Sequence, residues 1–355
     1  MMFDRETVNA FSGGYKISES GIVTLFGRPT VSSLKRVIAF PVSLSIHSLV
    51  RKSETVVWKG TNTIEIPYKI SKLSNDWYDP IKLMTNIAIQ RGWKYAPFIL
   101  AQEALGYQFS LGYYSAFVDT LVQAFTSVNE VTLNTSEFAQ ISSEIQDKIR
   151  EEHSAYETVA RRQEKDGTIL FYDVLSNSYR NEIVNFEPFS LFLISENSLA
   201  SNRDFQKFQK SVKRFKEENM LNRDSDSLKF PYVGIRNHMK KEEDTYNRIT
   251  DAFNRNDVQS FLSAISKYSQ SLGYNLGVLS DFQKNIARQL DEYGVQMYVF
   301  NISEYSGSVL VFADSLELAK IKENAIRDYY NLTNRTIRID ELQILRGSSK
   351  EPVLL

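Results

Sequence analysis

The segment Phe109–Phe125, FSLGYYSAFVDTLVQAF, places a turn of small residues directly before a helical pattern. Ser110, Gly112 and Ser115 lie at this junction. A helix N-terminus exposes unpaired N–H groups and carries partial positive charge, so it stabilises a phosphate. Glycine and serine let ligand oxygens approach the backbone, and serine hydroxyls add donors. The segment therefore predicts a phosphate-facing turn, while a serine-capped buried helix is the alternative that the local pattern leaves open.

Composition excludes several classes of function. The 355 residues suffice for one large domain or two modest ones. The 42 basic and 43 acidic residues give a net charge of −1, whereas a nucleic-acid-binding surface needs a concentrated basic excess. The absence of cysteine excludes disulfides, thiolate metal sites and a cysteine nucleophile. With no signal pattern and no run near ~18 apolar residues, we expect a cytoplasmic protein without a membrane or nucleic-acid partner.

The hydrophobic periodicity predicts strands in the first half of the chain, with helices between them, and mainly helices in the second half. The predicted strands are Gly21–Phe26, Arg36–Val50, Ser53–Trp58, Asn62–Tyr68, Thr168–Val174, Phe189–Ser195, Val295–Ile302, Gly307–Ala313 and Arg335–Leu345. The predicted helices are Pro80–Trp93, Ser115–Phe125, Ser136–Gln163, Asp204–Asn219, Ile235–Asn254, Asp257–Leu272, Ser280–Tyr293 and Leu316–Tyr330. This order predicts an α+β fold with mixed or antiparallel sheets and two joined lobes, residues 1–195 and 196–355.

In order and spacing, these elements resemble the GHMP family of small-molecule kinases, and most of all its galactokinase branch. In that family a Pro-x-x-x-Gly-Leu-x-Ser-Ser-Ala loop opens a helix, and residues 110–116, SLGYYSA, are similar to it. Tyr113 and Tyr114 depart from the pattern, since bulky rings stand where the family has small residues. The resemblance covers roughly residues 15–350. It implies a two-lobed fold, ATP and Mg²⁺ as cofactors, and phosphate contacts from Ser110, Gly112 and Ser115.

The first family motif is a strand that continues into a Gly-Arg pair, and residues 25–30, LFGRPT, resemble it. The resemblance implies that Arg28 clamps a phosphate or steadies charge during phosphoryl transfer. A surface arginine is the alternative. Residues 31–34, VSSL, replace the Glu-His-Asp that grips galactose in the family, so the resemblance does not extend to galactose as the substrate.

The family's catalytic aspartate shortly precedes a strand that Thr168–Asp173 resembles, and counting back places Glu157 at its position. The resemblance implies that Glu157 orients or deprotonates the acceptor hydroxyl. It also implies that Glu157 and Ser115 contribute to a Mg²⁺ site held chiefly by nucleotide phosphates. The alternative is that Glu157 is one surface charge of an amphipathic helix.

Two C-terminal segments complete the resemblance. The family has a glycine-rich turn between two strands that approaches the nucleotide, and Gly307 remains of it here, although a plain hairpin is the alternative. Residues 236–242, RNHMKKE, resemble an Arg-x-x-His-x-x-x-Glu helix. His238 and Glu242 share a face of that helix, and we expect them to pair with each other rather than to bind a metal.

Three functions remain open at this point. The working hypothesis is an ATP-dependent kinase in carbohydrate or related metabolism, acting on a hydroxyl of a sugar or similar alcohol. The altered first and third motifs and the Asp-to-Glu change favour a second hypothesis, a catalytically inactive descendant that binds a ligand or a partner. The third is a relative with changed chemistry that has lost the nucleotide site. The sequence indicates neither the acceptor nor the oligomeric state.

Overall fold

The computed structural model describes residues 3–27, 36–106, 109–149, 155–163, 165–196, 202–220, 227–302 and 307–354. The strands are β1 Tyr15–Phe26, β2 Arg36–Ser53, β3 Thr55–Lys59, β4 Thr63–Pro67, β5 Ala96–Glu103, β6 Thr168–Asp173, β7 Ser178–Ile183, β8 Ser190–Glu196, β9 Tyr298–Asn301, β10 Ser308–Ala313, β11 Ile337–Leu342 and β12 Ser348–Pro352. The helices are α1 Arg5–Asn9, α2 Asp79–Gln90, α3 Tyr113–Val128, α4 Thr135–Asp147, α5 Tyr156–Arg161, α6 Arg203–Glu217, α7 Tyr232–Asn254, α8 Val258–Leu276, α9 Asp281–Glu292 and α10 Ser315–Thr333.

The first sheet is built around the long strand β2. Its strands run in the order β12-β1-β2-β5-β3-β4, and β6 also pairs with β2 and carries β7 at its other edge. The β3–β5 pair is parallel and the other pairs described here are antiparallel. Strand β2 pairs with β6 near its start and with β5 near its end, so one strand holds the whole sheet together.

An irregularity in β1 places the turn before α3. The register with β2 shifts between Ser20 and Gly21, and a Cβ on Gly21 would lie 2.9 Å from a methyl group of Leu105. Opposite Ile22, strand β2 has Pro41. The backbone N–H of Ile22 instead donates to the carbonyl of Leu111, at 2.8 Å. The bulge thus ties the turn that precedes α3 to the first sheet.

The second sheet has the strand order β11-β8-β10-β9, with antiparallel pairs throughout. Its central strand β8 is a continuous apolar run that is buried from Leu191 to Ile194, as expected for a strand covered on both faces. The two sheets are joined near the turn before α3, where the Ser308 hydroxyl of β10 donates to the carbonyl of Phe109, at 2.6 Å. The architecture is α+β with mixed and antiparallel sheets, as the sequence predicted.

Several elements differ from the sequence predictions, and strand β5 and the short helix α1 were not predicted at all. Both predicted hairpins form, as β3–β4 and β9–β10. The single helix predicted at Ser136–Gln163 is instead two helices, α4 and α5. Strands β7 and β12 were not predicted, because their side chains are mostly exposed and polar. Each is an edge strand held by backbone pairing to one neighbour, a contribution that hydrophobic periodicity does not detect.

None of the helices described here combines the length and the apolar composition needed to span a bilayer.

We expect Leu193→Ala in β8 to lower the free energy of unfolding by about 2 to 5 kcal/mol, because it leaves a cavity in a fully buried strand. Leu175→Ala is the matched control, since Leu175 is 72% exposed and its truncation should change stability by less than about 0.5 kcal/mol. Urea unfolding followed by circular dichroism measures both. Equal effects of the two substitutions would contradict the assignment of β8 as a central core strand.

Candidate functional site

The first turn of α3 is shaped by a glycine in the left-handed region. The N-cap of α3 is Gly112, with φ 68° and ψ 36°, and the preceding Ser110 also has a positive φ of 58°. Side chains other than glycine rarely adopt this conformation. A Cβ on Gly112 would also lie 2.8 Å from a carboxylate oxygen of Glu157. Gly112 rather than a serine therefore caps α3, and it leaves room for a carboxylate beside the helix N-terminus.

Glu157 lies against this first turn. It belongs to α5, and its carboxylate accepts a hydrogen bond from the hydroxyl of Ser115. The phenol of Tyr156 donates to the other carboxylate oxygen, at 3.3 Å. A negative charge at this position is stabilised by the partial positive charge of the α3 N-terminus. The structure thus brings Glu157 to Gly112 and Ser115, although Glu157 lies 42 positions after Ser115 in the sequence.

A buried guanidinium holds these elements in place. Arg161 is fully buried, and its Nη2 donates to the carbonyl of Gly112 and to the hydroxyl of Ser115, both at 2.9 Å. Its Nη1 pairs with Asp119 at 2.9 Å, and its Nε donates to the carbonyl of Ser20 at 2.6 Å. The side chain therefore connects α5 to α3 and to β1. The sequence analysis missed Arg161, although its position four residues after Glu157 placed both on one helix face.

The carboxylate of Asp119 has a complete set of partners of its own. The hydroxyls of Ser142 and Thr158 donate to its Oδ1, at 2.6 and 3.0 Å. Asp119 is itself fully buried on α3. Burying a charge is costly unless the charge is paired and hydrogen-bonded, and here both conditions are met.

A second buried acid lies next to this network. Glu19 of β1 pairs with Arg162 at 2.5 Å and accepts a hydrogen bond from Ser348 of β12 at 3.1 Å. Burial raises the pKa of Glu19 to about 7, against the opposing effect of Arg162, and the nearby charge of Asp119 raises it further. Two acids, Glu19 and Asp119, and two arginines, Arg161 and Arg162, therefore lie close together beside the candidate site. Their ion pairs and hydrogen bonds hold these side chains in fixed positions.

The two tyrosines that depart from the family motif are accommodated by packing. Tyr114 is 9% exposed, and its ring lies 6.5 Å from that of Phe117. The hydroxyl of Tyr113 donates to Glu103 of β5 at 2.6 Å, and Glu103 also accepts a hydrogen bond from the backbone N–H of Thr61 at 3.1 Å. Each ring is thus held by other parts of the first lobe.

Gly307 lies at the start of β10, next to the contact between the two sheets. Its φ is 75°, and a Cβ there would lie 2.6 Å from the carbonyl oxygen of Asn301. Gln283 of α9 donates to the carbonyls of Asn301 and Ser308, both at 3.1 Å, and so fixes the ends of the hairpin. The hairpin itself explains why glycine is needed here. Arg28, like residues 303–306 of the third motif, lies outside the described residues.

Ser115 and Glu157 supply oxygen ligands of the kind that Mg²⁺ prefers. The Ser115 hydroxyl donates to Glu157 and accepts from Arg161, which leaves one lone pair on its oxygen. In the part of the chain described here, no group of three or more histidine or acidic side chains is placed to hold a metal ion. The donors present fit an ion that is bound mainly by nucleotide phosphates, with one or two protein oxygens.

No protein-family model matches the sequence, and no curated protein matches it. Solved structures do match over nearly the whole chain. A galactokinase from Lactococcus lactis in complex with galactose is 13% identical, with a TM-score of 0.81 and coverage of 98% of both chains. A protein from Listeria innocua is 14% identical, with a TM-score of 0.70 over 95% of this chain and 99% of that one. The mevalonate kinase of Methanococcus jannaschii is 12% identical, with a TM-score of 0.65 over 93% of this chain and 98% of that one.

At these identities the likeness concerns the fold. The chain has the two-lobed α+β fold of galactokinase and mevalonate kinase structures, as the resemblance in its sequence led us to expect.

We expect Asp119→Asn to lower the free energy of unfolding by about 3 to 5 kcal/mol, because it leaves the charge of Arg161 buried without a counter-ion. Glu182→Gln is the control, since it breaks an exposed ion pair with Arg180 and should cost less than about 1 kcal/mol. Denaturant titration at neutral pH measures both values. A loss for Asp119→Asn no larger than for the control would show that the buried pair does not stabilise the fold.

Proposed function

We propose that this protein is an ATP-dependent kinase that phosphorylates a hydroxyl group of a small metabolite, a sugar or a related alcohol. The observation that carries the proposal is the contact of the Glu157 carboxylate with Ser115 at the first turn of α3. A helix N-terminus capped by Gly112 offers a place for phosphate, and an acid lies directly beside it. The fold shared with galactokinase and mevalonate kinase structures supports the same reaction class. Because the reaction needs ATP, the proposal includes a cytoplasmic location.

Phosphoryl transfer depends mainly on positioning and on electrostatic stabilisation. We assign phosphate contacts to the α3 N-terminus at Ser110 and Gly112, and a further contact with the nucleotide to Gly307. Glu157 orients the acceptor hydroxyl and accepts its proton. Arg28 steadies the transferred charge. Ser115 and Glu157 would contribute oxygen ligands to Mg²⁺ bound with ATP, which would supply charge neutralisation of the phosphates.

A second candidate is a catalytically inactive protein of the same fold that binds a ligand or a partner. The observation that favours it is the hydrogen bond from Arg161 to the Ser115 hydroxyl. This guanidinium uses one of the two lone pairs of the Ser115 oxygen, which makes the hydroxyl a weaker ligand for a divalent cation. Under this alternative, nucleotide binding does not lead to turnover.

Mg-ATP should stabilise the protein against thermal unfolding if the kinase proposal is correct. At 100 times its dissociation constant a ligand adds about 2.7 kcal/mol to the stability of the folded state. Differential scanning fluorimetry with millimolar Mg-ATP, and with Mg²⁺ alone as the reference, measures the shift. If millimolar nucleotide produces no shift, the kinase proposal is wrong.

Turnover separates the two candidates. With a panel of sugars and polyols as acceptors, we expect ATP consumption by the wild type and a loss of at least about 100-fold in Glu157→Gln, whose amide cannot accept the proton. Nucleotide binding should be kept in this variant. Glu144→Gln, a change in an exposed ion pair on α4, is the control and should retain full turnover. Retained turnover in Glu157→Gln would remove Glu157 from the mechanism, and nucleotide binding without turnover of any acceptor would favour the inactive alternative.

A further inference from the structure

A groove of about 950 Å³ runs between α7 and α8 in the second lobe, and polar side chains form its base. His238 and Glu242 lie one turn apart on α7, and Tyr268 faces them from α8. The ring centroids of His238 and Tyr268 are 5.4 Å apart. Three side chains able to form hydrogen bonds thus converge at one point, on elements other than those that carry Glu157.

These three side chains share an unusual property. Within the part of the chain that the structure describes, three of their buried atoms have no hydrogen-bond partner: Nε2 of His238, Oε1 of Glu242 and the hydroxyl of Tyr268. The hydrogen bond that we expected between His238 and Glu242 from their spacing therefore does not use these two atoms. Tyr268 is only 6% exposed. A buried polar group without a partner destabilises the folded state, so three in one place indicate an occupant that supplies the missing bonds.

The base is held rigidly and is uncharged at neutral pH. The Tyr268 ring stacks on Phe26 of β1, with centroids 4.3 Å apart. Burial lowers the pKa of His238 to about 4, and burial together with the charge of Glu243 raises the pKa of Glu242 to about 8. Burial also raises the pKa of Tyr268 well above its usual value, which outweighs an opposing contact of its hydroxyl with the backbone of Gly27. The base therefore presents a neutral imidazole, a carboxylic acid and a phenol, which suit the hydroxyl groups of a ligand better than an ion.

The rim of the groove is positively charged. The exposed cations Lys241, Arg248 and Lys267 line the groove, and Asp291 is an acidic residue of the same lining. Both lysines are exposed, and each directly precedes a residue of the base in the chain. A positive rim above a neutral polar base favours a molecule with several hydroxyls and one anionic group.

We propose that this groove binds a small polyhydroxylated anion of the sugar-phosphate or polyol-phosphate class. The hydroxyls of the ligand contact His238, Glu242 and Tyr268, and its phosphate lies near the lysines of the rim. The site is separate from the one at Glu157, yet both touch β1. Thr24 of this strand shares a hydrogen bond of 3.0 Å with the phenol of Tyr156, and Phe26 supports Tyr268.

Isothermal titration calorimetry without nucleotide tests the proposal with glycerol 3-phosphate, ribose 5-phosphate and glucose 6-phosphate. We expect saturable binding of at least one of them and about tenfold weaker binding by Tyr268→Phe, which removes the hydroxyl and keeps the stacked ring. Tyr246→Phe is the matched control. Its ring also packs on Phe26, at 5.5 Å, but in the described structure it lies outside the groove lining, so it should retain wild-type affinity.

A second readout needs no ligand. Because the Tyr268 hydroxyl is buried and makes no well-formed hydrogen bond among the described residues, Tyr268→Phe should unfold at the same temperature as the wild type or at a higher one. A large loss of thermal stability would show that the hydroxyl is already bonded within the protein, which contradicts the proposal.

Further titrations, with a variant of the α3 site and with simpler ligands, show where the ligand binds and which of its groups are recognised. Ser115→Ala should retain binding, and loss of binding in this variant would place the ligand at the α3 N-terminus and overturn the proposal. Inorganic phosphate and glucose should each bind more weakly than the best sugar phosphate. The proposal is wrong if inorganic phosphate binds as tightly as the best sugar phosphate, if none of the three probes binds, or if Tyr268→Phe binds them with wild-type affinity. In each case the groove holds only water or a simple anion.

Discussion

The buried guanidinium of Arg161 is the group on which the arrangement of the candidate site depends. Its charge is compensated by Asp119, and its remaining donors bind Ser115 and the carbonyls of Gly112 and Ser20. A buried charge tolerates little displacement, because any lost partner leaves an expensive unpaired group. Arg161 therefore fixes α5 against α3 and β1. The position of the neighbouring Glu157 at the α3 N-terminus follows from this constraint.

The turn before α3 shows what could be predicted from sequence and what could not. Its small residues and the helix that follows are local features, so the left-handed Gly112 and the start of α3 agree with the pattern. The hydrogen bonds of Arg161 to Ser20 and Ser115 join residues 141 and 46 positions apart. The hydrophobic periodicity of the sequence contains no information about such long-range contacts. Strands β7 and β12 escaped prediction for a related reason, since backbone pairing rather than burial holds them.

The fold is kept at a sequence identity of 13% because it requires only a pattern of burial and a few special backbone positions. The chemistry of a site requires particular side chains, and fold alone does not supply them. Tyr113 and Tyr114 illustrate the difference. The sequence shows them only as bulky rings where the family has small residues, and the structure adds that Tyr114 is buried beside Phe117 and that Tyr113 is held by Glu103.

The central claim is that the N-terminus of α3 binds the phosphates of Mg-ATP, and Gly112→Ala tests it most directly. The new Cβ would lie 2.8 Å from Glu157, at the point where a phosphate would approach the helix. Gly92→Ala is the matched control, because Gly92 is also left-handed, with φ 75°, and among the described residues nothing lies within 4 Å of its Cβ position. We predict that calorimetry shows at least about tenfold weaker Mg-ATP binding by Gly112→Ala, with Gly92→Ala unchanged. Equal affinity in both variants and the wild type would contradict the account.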